Sequence, residues 1–138
     1  MKIKEIVKVD SKGRITIPLV IREALDIREG MNVLLIADTS KKEVIVSPIS
    51  EEAQLLEIEF EMEDRPGALA EVVSELARQG VDMIITRCTA LKRGETAECL
   101  VVADISKSAI TTEKELERLL NRLEPIRMVK VRSFQKSL

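Results

Sequence analysis

Hydrophobic and polar positions alternate most strictly between residues 55 and 63. Leu56, Ile58, Phe60 and Met62 share one face, and Glu57, Glu59, Glu61 and Glu63 the other. A period of two is the mark of a half-buried strand. Asp64-Arg65-Pro66-Gly67 then breaks the pattern, and the period lengthens. Leu69, Val72, Val73 and Leu76 fall on one side of a helix closed by Gly80. Residues 81–90 and 97–105 read as strands around a Lys92-Arg93-Gly94-Glu95 turn. Thr112 and Glu115 form a capping-box signature for a helix carrying Leu116, Leu119, Leu120 and Leu123. Pro125 stops that helix, and 126–134 is a last strand. The order βαββαβ is a ferredoxin-like plan.

Upstream the periods are shorter. A strand leads into a turn at Asp10-Ser11-Lys12-Gly13, followed by the β-branched run Ile15-Thr16-Ile17 and by Pro18. Proline lacks the ladder donor but suits the first helical position, so a short helix is expected over residues 18–25. A polar connection at 26–30 precedes two strand candidates, 31–37 and 43–47, with a hairpin loop at 38–42. The first part is thus four strands and one short helix, and the chain is α+β as a whole. About 50 residues bury too little surface for comfortable stability alone. The bridge from Pro48 to Gln54 is polar, short and not glycine-rich. It separates an expected domain at 1–49 from one at 55–138, and its stiffness argues for coupling between them.

The stretch KVDSKGRITIPLVIREALD, residues 8–26, resembles the swapped-hairpin DNA-binding domain of the AbrB family, with its MazE antitoxin and SpoVT relatives. The resemblance covers roughly residues 2–48 and rests on Val9-Asp10, Gly13-Arg14-Ile15, Ile17-Pro18 and the Ile21-Arg22 to Leu25 helix. It implies a β-barrel dimer with exchanged hairpins that binds double-stranded DNA, with Arg14 at a position that commonly contacts DNA. AbrB-like helices often carry two consecutive arginines; here the second position is Glu23. Residues 55–134 resemble the ACT domain, through Asp64-Arg65-Pro66-Gly67-Ala68-Leu69 and the Gly80-Val81 start of the next strand. That resemblance implies side-by-side pairing and a small effector, often an amino acid, near this turn.

Composition sharpens the division of labour. The chain has 138 residues, a formal charge of −2, 45% hydrophobic and 33% charged residues, and only Phe60 and Phe134 as aromatics. The overall charge does not suggest a nucleic-acid partner, but residues 1–50 hold nine Lys/Arg against seven Asp/Glu, and the remainder 13 against 17. The sign of that asymmetry agrees with DNA binding by the first part. Lys8, Lys12, Arg14 and Arg22 are the candidate DNA contacts: cations on a rigid turn reach phosphates, and arginine also bonds guanine edges. The absence of aromatic residues among them favours duplex over single strands. For the effector, the candidates are Asp64, Arg65, Pro66, Gly67, Ala68 and Leu69. Backbone N–H groups at a helix start would receive a carboxylate, and Asp64 an ammonium group.

Other classes lose ground on the same grounds. With no histidine and two cysteines, a zinc site is not expected and no nucleophile–base pair with a histidine base can be assembled; no catalytic residue, metal or cofactor is expected. The stripe Glu57, Glu59, Glu61, Glu63 is better explained by cross-strand pairing with Lys130 and Arg132 of the last strand than by a metal. Cys88 and Cys99 are equidistant from the Arg93-Gly94 centre, so a symmetric loop sets them opposite. Two buried reduced thiols are the expectation and a disulfide the alternative, which a one-residue shift at the turn removes. No stretch has signal-peptide or membrane-spanning character, so a cytoplasmic setting is expected. The leading reading is a transcriptional regulator, a homodimer or higher oligomer under amino-acid control. Its rivals are an ACT-containing regulatory subunit of an amino-acid enzyme and an antitoxin.

Overall fold

The structure is a computed structural model that describes residues 2–134; the segment 135–138, expected to end the second domain, lies outside the described residues. The chain divides into two compact units, residues 1–51 and 52–138. The first contains α1 (Leu19–Ala24), β1 (Asn32–Asp38) and β2 (Glu43–Ile49). The second contains β3 (Leu55–Glu63), α2 (Ala68–Arg78), β4 (Asp82–Lys92), β5 (Thr96–Asp104), α3 (Glu113–Asn121) and β6 (Ile126–Ser133). The chain is α+β, as expected.

In the first unit β1 and β2 form an antiparallel hairpin, with Asn32 opposite Ile49 and Asp38 opposite Glu43. The Asp38 carboxylate closes its loop by accepting the Ser40 and Lys41 N–H groups at 3.1 Å. The two strands expected before Pro18 do not form: residues 2–9 and 14–18 carry no regular structure. A strand exists only against a partner's ladder, and the two-stranded sheet here contains β1 and β2 alone. Side chains that should be buried are consequently bare: Ile6 is 100% exposed, Val9 68% and Ile15 56%. The helix also starts one residue late. Pro18 is its N-cap, extended at ψ 147, and its carbonyl accepts the Ile21 and Arg22 N–H groups at 3.0 Å. Asp26, left-handed at φ 56, ends the turn, and the Ile27 N–H reaches back to the Arg22 carbonyl at 2.8 Å.

The second unit is a four-stranded antiparallel sheet in the order β4-β5-β3-β6, the ferredoxin-like arrangement. Burial alternates along all of β3. Leu56, Ile58, Phe60 and Met62 pack with Ala68, Val72 and Leu76 of α2 and Leu116 and Leu120 of α3 in a core made almost wholly of aliphatic side chains. The capping residue of α3 is Thr112, whose hydroxyl accepts the Glu115 N–H at 3.2 Å. Gly80 is left-handed at φ 77, and a Cβ there would lie 3.3 Å from the Lys107 carbonyl. Only glycine lets the chain leave α2 that close to the 105–110 loop.

On the opposite face Glu57 stands across from Arg132, and Glu59 across from Lys130. Partial burial, together with Glu59 next to it on the same face, pushes the Glu57 carboxyl above its ordinary range; Arg132 offsets this only in part.

Cys88 and Cys99 are joined by a disulfide, with Cα atoms 4.1 Å apart; the expectation of two reduced thiols is overturned. The pair lies in direct register across β4 and β5. A register shift between Ala90 and Lys92 makes Leu91 an extra residue, and that bulge takes up the offset between the symmetric tip and the cysteines. Cys99 is buried beside the core at 1% exposure, whereas Cys88 is exposed on the edge strand.

Candidate functional site

The basic candidates gather on the turn and helix of the first unit. Asp10, Ser11, Lys12 and Gly13 form a tight turn closed by the Gly13 N–H to the Asp10 carbonyl at 3.0 Å. Gly13 is left-handed at φ 76, and the Asp10 N–H donates to the Arg14 carbonyl at 2.9 Å. A turn followed by a left-handed glycine is what short hairpin loops use, so the local geometry of a hairpin is in place although no strand is. Lys8, Lys12 and Arg14 are exposed around it, and Arg22 is half-buried.

Arg14 is held. Asp10 Oδ1 accepts the backbone N–H of Lys12 and of Arg14, both at 2.9 Å. The second oxygen, Oδ2, accepts from Arg14 Nε at 2.8 Å. These bonds, the Arg14 N–H and side chain first, hold the Asp10 carboxyl below the usual carboxylate range. In the sequence Asp10 stands out as a turn and motif residue but not as a candidate DNA contact. Its signal was available nonetheless, since an aspartate opening a turn characteristically accepts the N–H two residues on.

Arg22 lies elsewhere on the frame. It lines a hollow of about 750 Å³ with Leu19, Glu23, Asp26, Ile27, Arg28 and Glu29. Its Nε is buried without a hydrogen-bond partner.

The expected effector turn has a different character. Arg65, Pro66, Gly67 and Ala68 form a turn closed by the Ala68 N–H to the Arg65 carbonyl at 3.2 Å. Proline second and a left-handed glycine third, at φ 85 and ψ −13, make it type II. Asp64 is half-buried and one of its carboxylate oxygens is engaged: Oδ2 accepts the Gly94 N–H at 2.8 Å, and the Asp64 N–H donates to the Glu95 carbonyl at 3.1 Å. Arg65 pairs through Nε with Glu63 at 2.8 Å and more loosely with Glu71 at 3.5 Å. The Glu63 bond is the main reason its guanidinium is held above the ordinary arginine range. Ala68 is fully buried in the core and Leu69 packs against it. Of the six residues, Gly67 alone lines the shallow groove of about 440 Å³ along α2, with Ala70, Glu71, Ser74, Glu75, Arg78 and Leu123.

Among the described residues no group of three or more acidic or cysteine side chains is placed to hold a metal ion. No described helix is long and apolar enough to cross a membrane.

Residues 6–54 match the family described as antidote-toxin recognition MazE, bacterial antitoxin. Comparison with curated protein sequences returned no match. Among solved structures the chain is similar to an ACT domain protein from Streptococcus pneumoniae, with 20% identity and a TM-score of 0.44, over 59% of this chain and 90% of that one. The chain therefore carries a MazE/AbrB-type domain over residues 6–54, joined to a ferredoxin-like βαββαβ domain.

Proposed function

We propose that this protein is a DNA-binding transcriptional regulator that acts as a homodimer or higher oligomer on double-stranded DNA and performs no reaction. The observation that carries the reading is the MazE-type match over residues 6–54, within which Lys8, Lys12 and Arg14 surround one tight turn. The unfinished state of the first unit supports dimerisation. Bare Ile6, Val9 and Ile15 and missing ladders at residues 2–9 and 14–18 are both repaired if a second copy supplies the facing strands. An exchanged hairpin would supply those strands. The second domain is the regulatory half in this proposal, with an amino-acid effector at the 64–69 turn. Because Asp64 is bonded to Gly94, recognition of the carboxylate by the start of α2 is the part of that site the geometry favours.

Selection of bound duplex fragments from the source genome tests the reading. A regulator enriches a defined set of fragments, and Arg14→Ala in a chain of unchanged oligomeric state weakens their binding by about 1–3 kcal/mol if the arginine reads a base. Absence of enrichment, or unchanged binding by Arg14→Ala, would refute it. Calorimetry with the twenty amino acids, with and without the selected duplex, tests the effector: reciprocal linkage requires different affinities in the two conditions.

A further inference from the structure

Arginine reaches guanine with a planar fork, and a fork discriminates bases only when its plane is fixed. A free arginine side chain on an exposed turn has many rotamers, most of which meet a phosphate as well as a base. Arg14 is 69% exposed through its side chain, yet it is not free. Its Nε is bonded to Asp10 Oδ2 at 2.8 Å. The carboxylate that holds it is pinned in turn, because its other oxygen accepts two backbone N–H groups at 2.9 Å. The chain of constraint runs from the turn backbone to Asp10 and from Asp10 to the guanidinium. The bond uses Nε and leaves the terminal Nη pair, the donors that match O6 and N7 of guanine, out of the contact.

We propose that Asp10 is a positioning and specificity-determining residue: it aims the Nη pair of Arg14 at a guanine edge in the major groove of duplex DNA. The inference rests on the DNA-binding reading above and adds a partition of roles to it. Asp10 contributes nothing to affinity for DNA as such; a carboxylate beside the interface repels phosphates and opposes binding to every sequence. Its benefit is confined to the correct sequence. Two opposing effects of one side chain give the proposal a signature that a purely structural residue lacks.

Asp10→Asn separates the roles. The asparagine Oδ1 still accepts the Lys12 and Arg14 N–H groups, as asparagine does in turns of this kind. Its Nδ2 is a donor facing the donor Nε, so the bond to Arg14 is lost. The experiment compares the full-length wild type, Asp10→Asn, Arg14→Ala and the double variant. Thermal melts and sedimentation establish equal folding and oligomeric state, and affinity is measured over a salt series for the selected duplex and for a random duplex of equal length. Asp10→Asn is expected to bind the random duplex more tightly, while the ratio of specific to random affinity falls about tenfold, within the span a bidentate arginine–guanine contact supplies. Arg14→Ala should lower the ratio at least as far, and adding Asp10→Asn to it should change the ratio no further.

The inference is overturned if Asp10→Asn strengthens binding to both duplexes by one common factor, since Asp10 is then only a nearby charge. A double variant that loses discrimination beyond Arg14→Ala also overturns it, because Asp10 then acts through another group. Should Asp10→Asn fail to fold as the wild type does, Arg14→Lys tests the step through which Asp10 must act, the base contact of the fork. Lysine keeps the charge but lacks the fork, so the ratio must fall while random binding is retained; an unchanged ratio overturns the proposal. If the wild type selects no duplex at all, the functional reading falls and this inference with it. A selected duplex with an unaltered ratio in Asp10→Asn removes this inference alone.

Discussion

Breaking the Cys88–Cys99 bond should lower the melting temperature of the second unit by roughly 10–20 °C. The size follows from chain entropy. The cysteines are separated by 11 positions, and closing a loop of about that length costs the unfolded chain about 3 kcal/mol at room temperature. The two residues already face each other across a local hairpin, and residual hairpin in the unfolded ensemble trims the effect toward about 2 kcal/mol. For a unit of this size each kcal/mol moves the midpoint by about 4–8 °C. Cys88→Ala is the cleaner perturbation, because Cys88 is exposed and its removal opens no cavity. Cys99 is buried at 1% exposure, so Cys99→Ala should add a packing loss of about 1 kcal/mol. Circular dichroism melts of the oxidised wild type, the reduced wild type and both alanine variants should rank in that order, with reduced wild type and Cys88→Ala close together. Thiol titration in denaturant without reductant should find no reactive thiol in the oxidised sample. Two titratable thiols, or a midpoint that moves less than about 2 °C on reduction, would refute the reasoning.

Two further outcomes follow from the same unit. Glu57→Gln should raise the midpoint at neutral pH: the folded-state pKa of Glu57 lies above its ordinary value, so its charged form opposes folding once the pH exceeds the unfolded pKa, and the gain should vanish as acid protonates the wild-type carboxyl. A gain that persists in acid would show that charge is not the cause. Gly67→Ala should cost about 1–2 kcal/mol in chemical denaturation from backbone strain alone, since φ is 85 and a Cβ there meets nothing within 4 Å; a neutral substitution would mean that the turn relaxes freely.

The second unit was legible because its own chain supplies every partner its pattern calls for. The alternation from Leu56 to Met62 needed a helix-covered face and found one in α2 and α3. In the first unit the same logic named strands that the isolated chain does not form. Ile6, Val9 and Ile15 record a burial whose partner is absent from the sequence's own fold, so apolar pattern alone could not say where they would be buried. The cysteine pairing turned on one bulged residue, Leu91, which has no distinctive residue type to announce it. At the candidate sites the cations of the 8–14 turn are readable by type, whereas the restraint on Arg14 depends on where the Asp10 carboxylate lies. The Asp10 bonds are local and follow a sequence rule. The Asp64 bond to Gly94 spans 30 positions, and nothing near Asp64 in the sequence signals it.

That last bond bears on how the protein can be engineered. The tip of the β4–β5 hairpin, Arg93 and Gly94, is exposed and invites insertion of a tag or a fluorescent label. It is nevertheless an anchor, because the Gly94 N–H and the Glu95 carbonyl both bond Asp64. Lengthening the tip would release the chain just ahead of α2 and disturb a region far removed in sequence. The loop between β1 and β2 is an alternative graft point, where Asp38 accepts from the neighbouring Ser40 and Lys41. A reporter placed at residues 39–41 would leave the hairpin tip at its present length, and with it the bonds from Gly94 and Glu95 to Asp64.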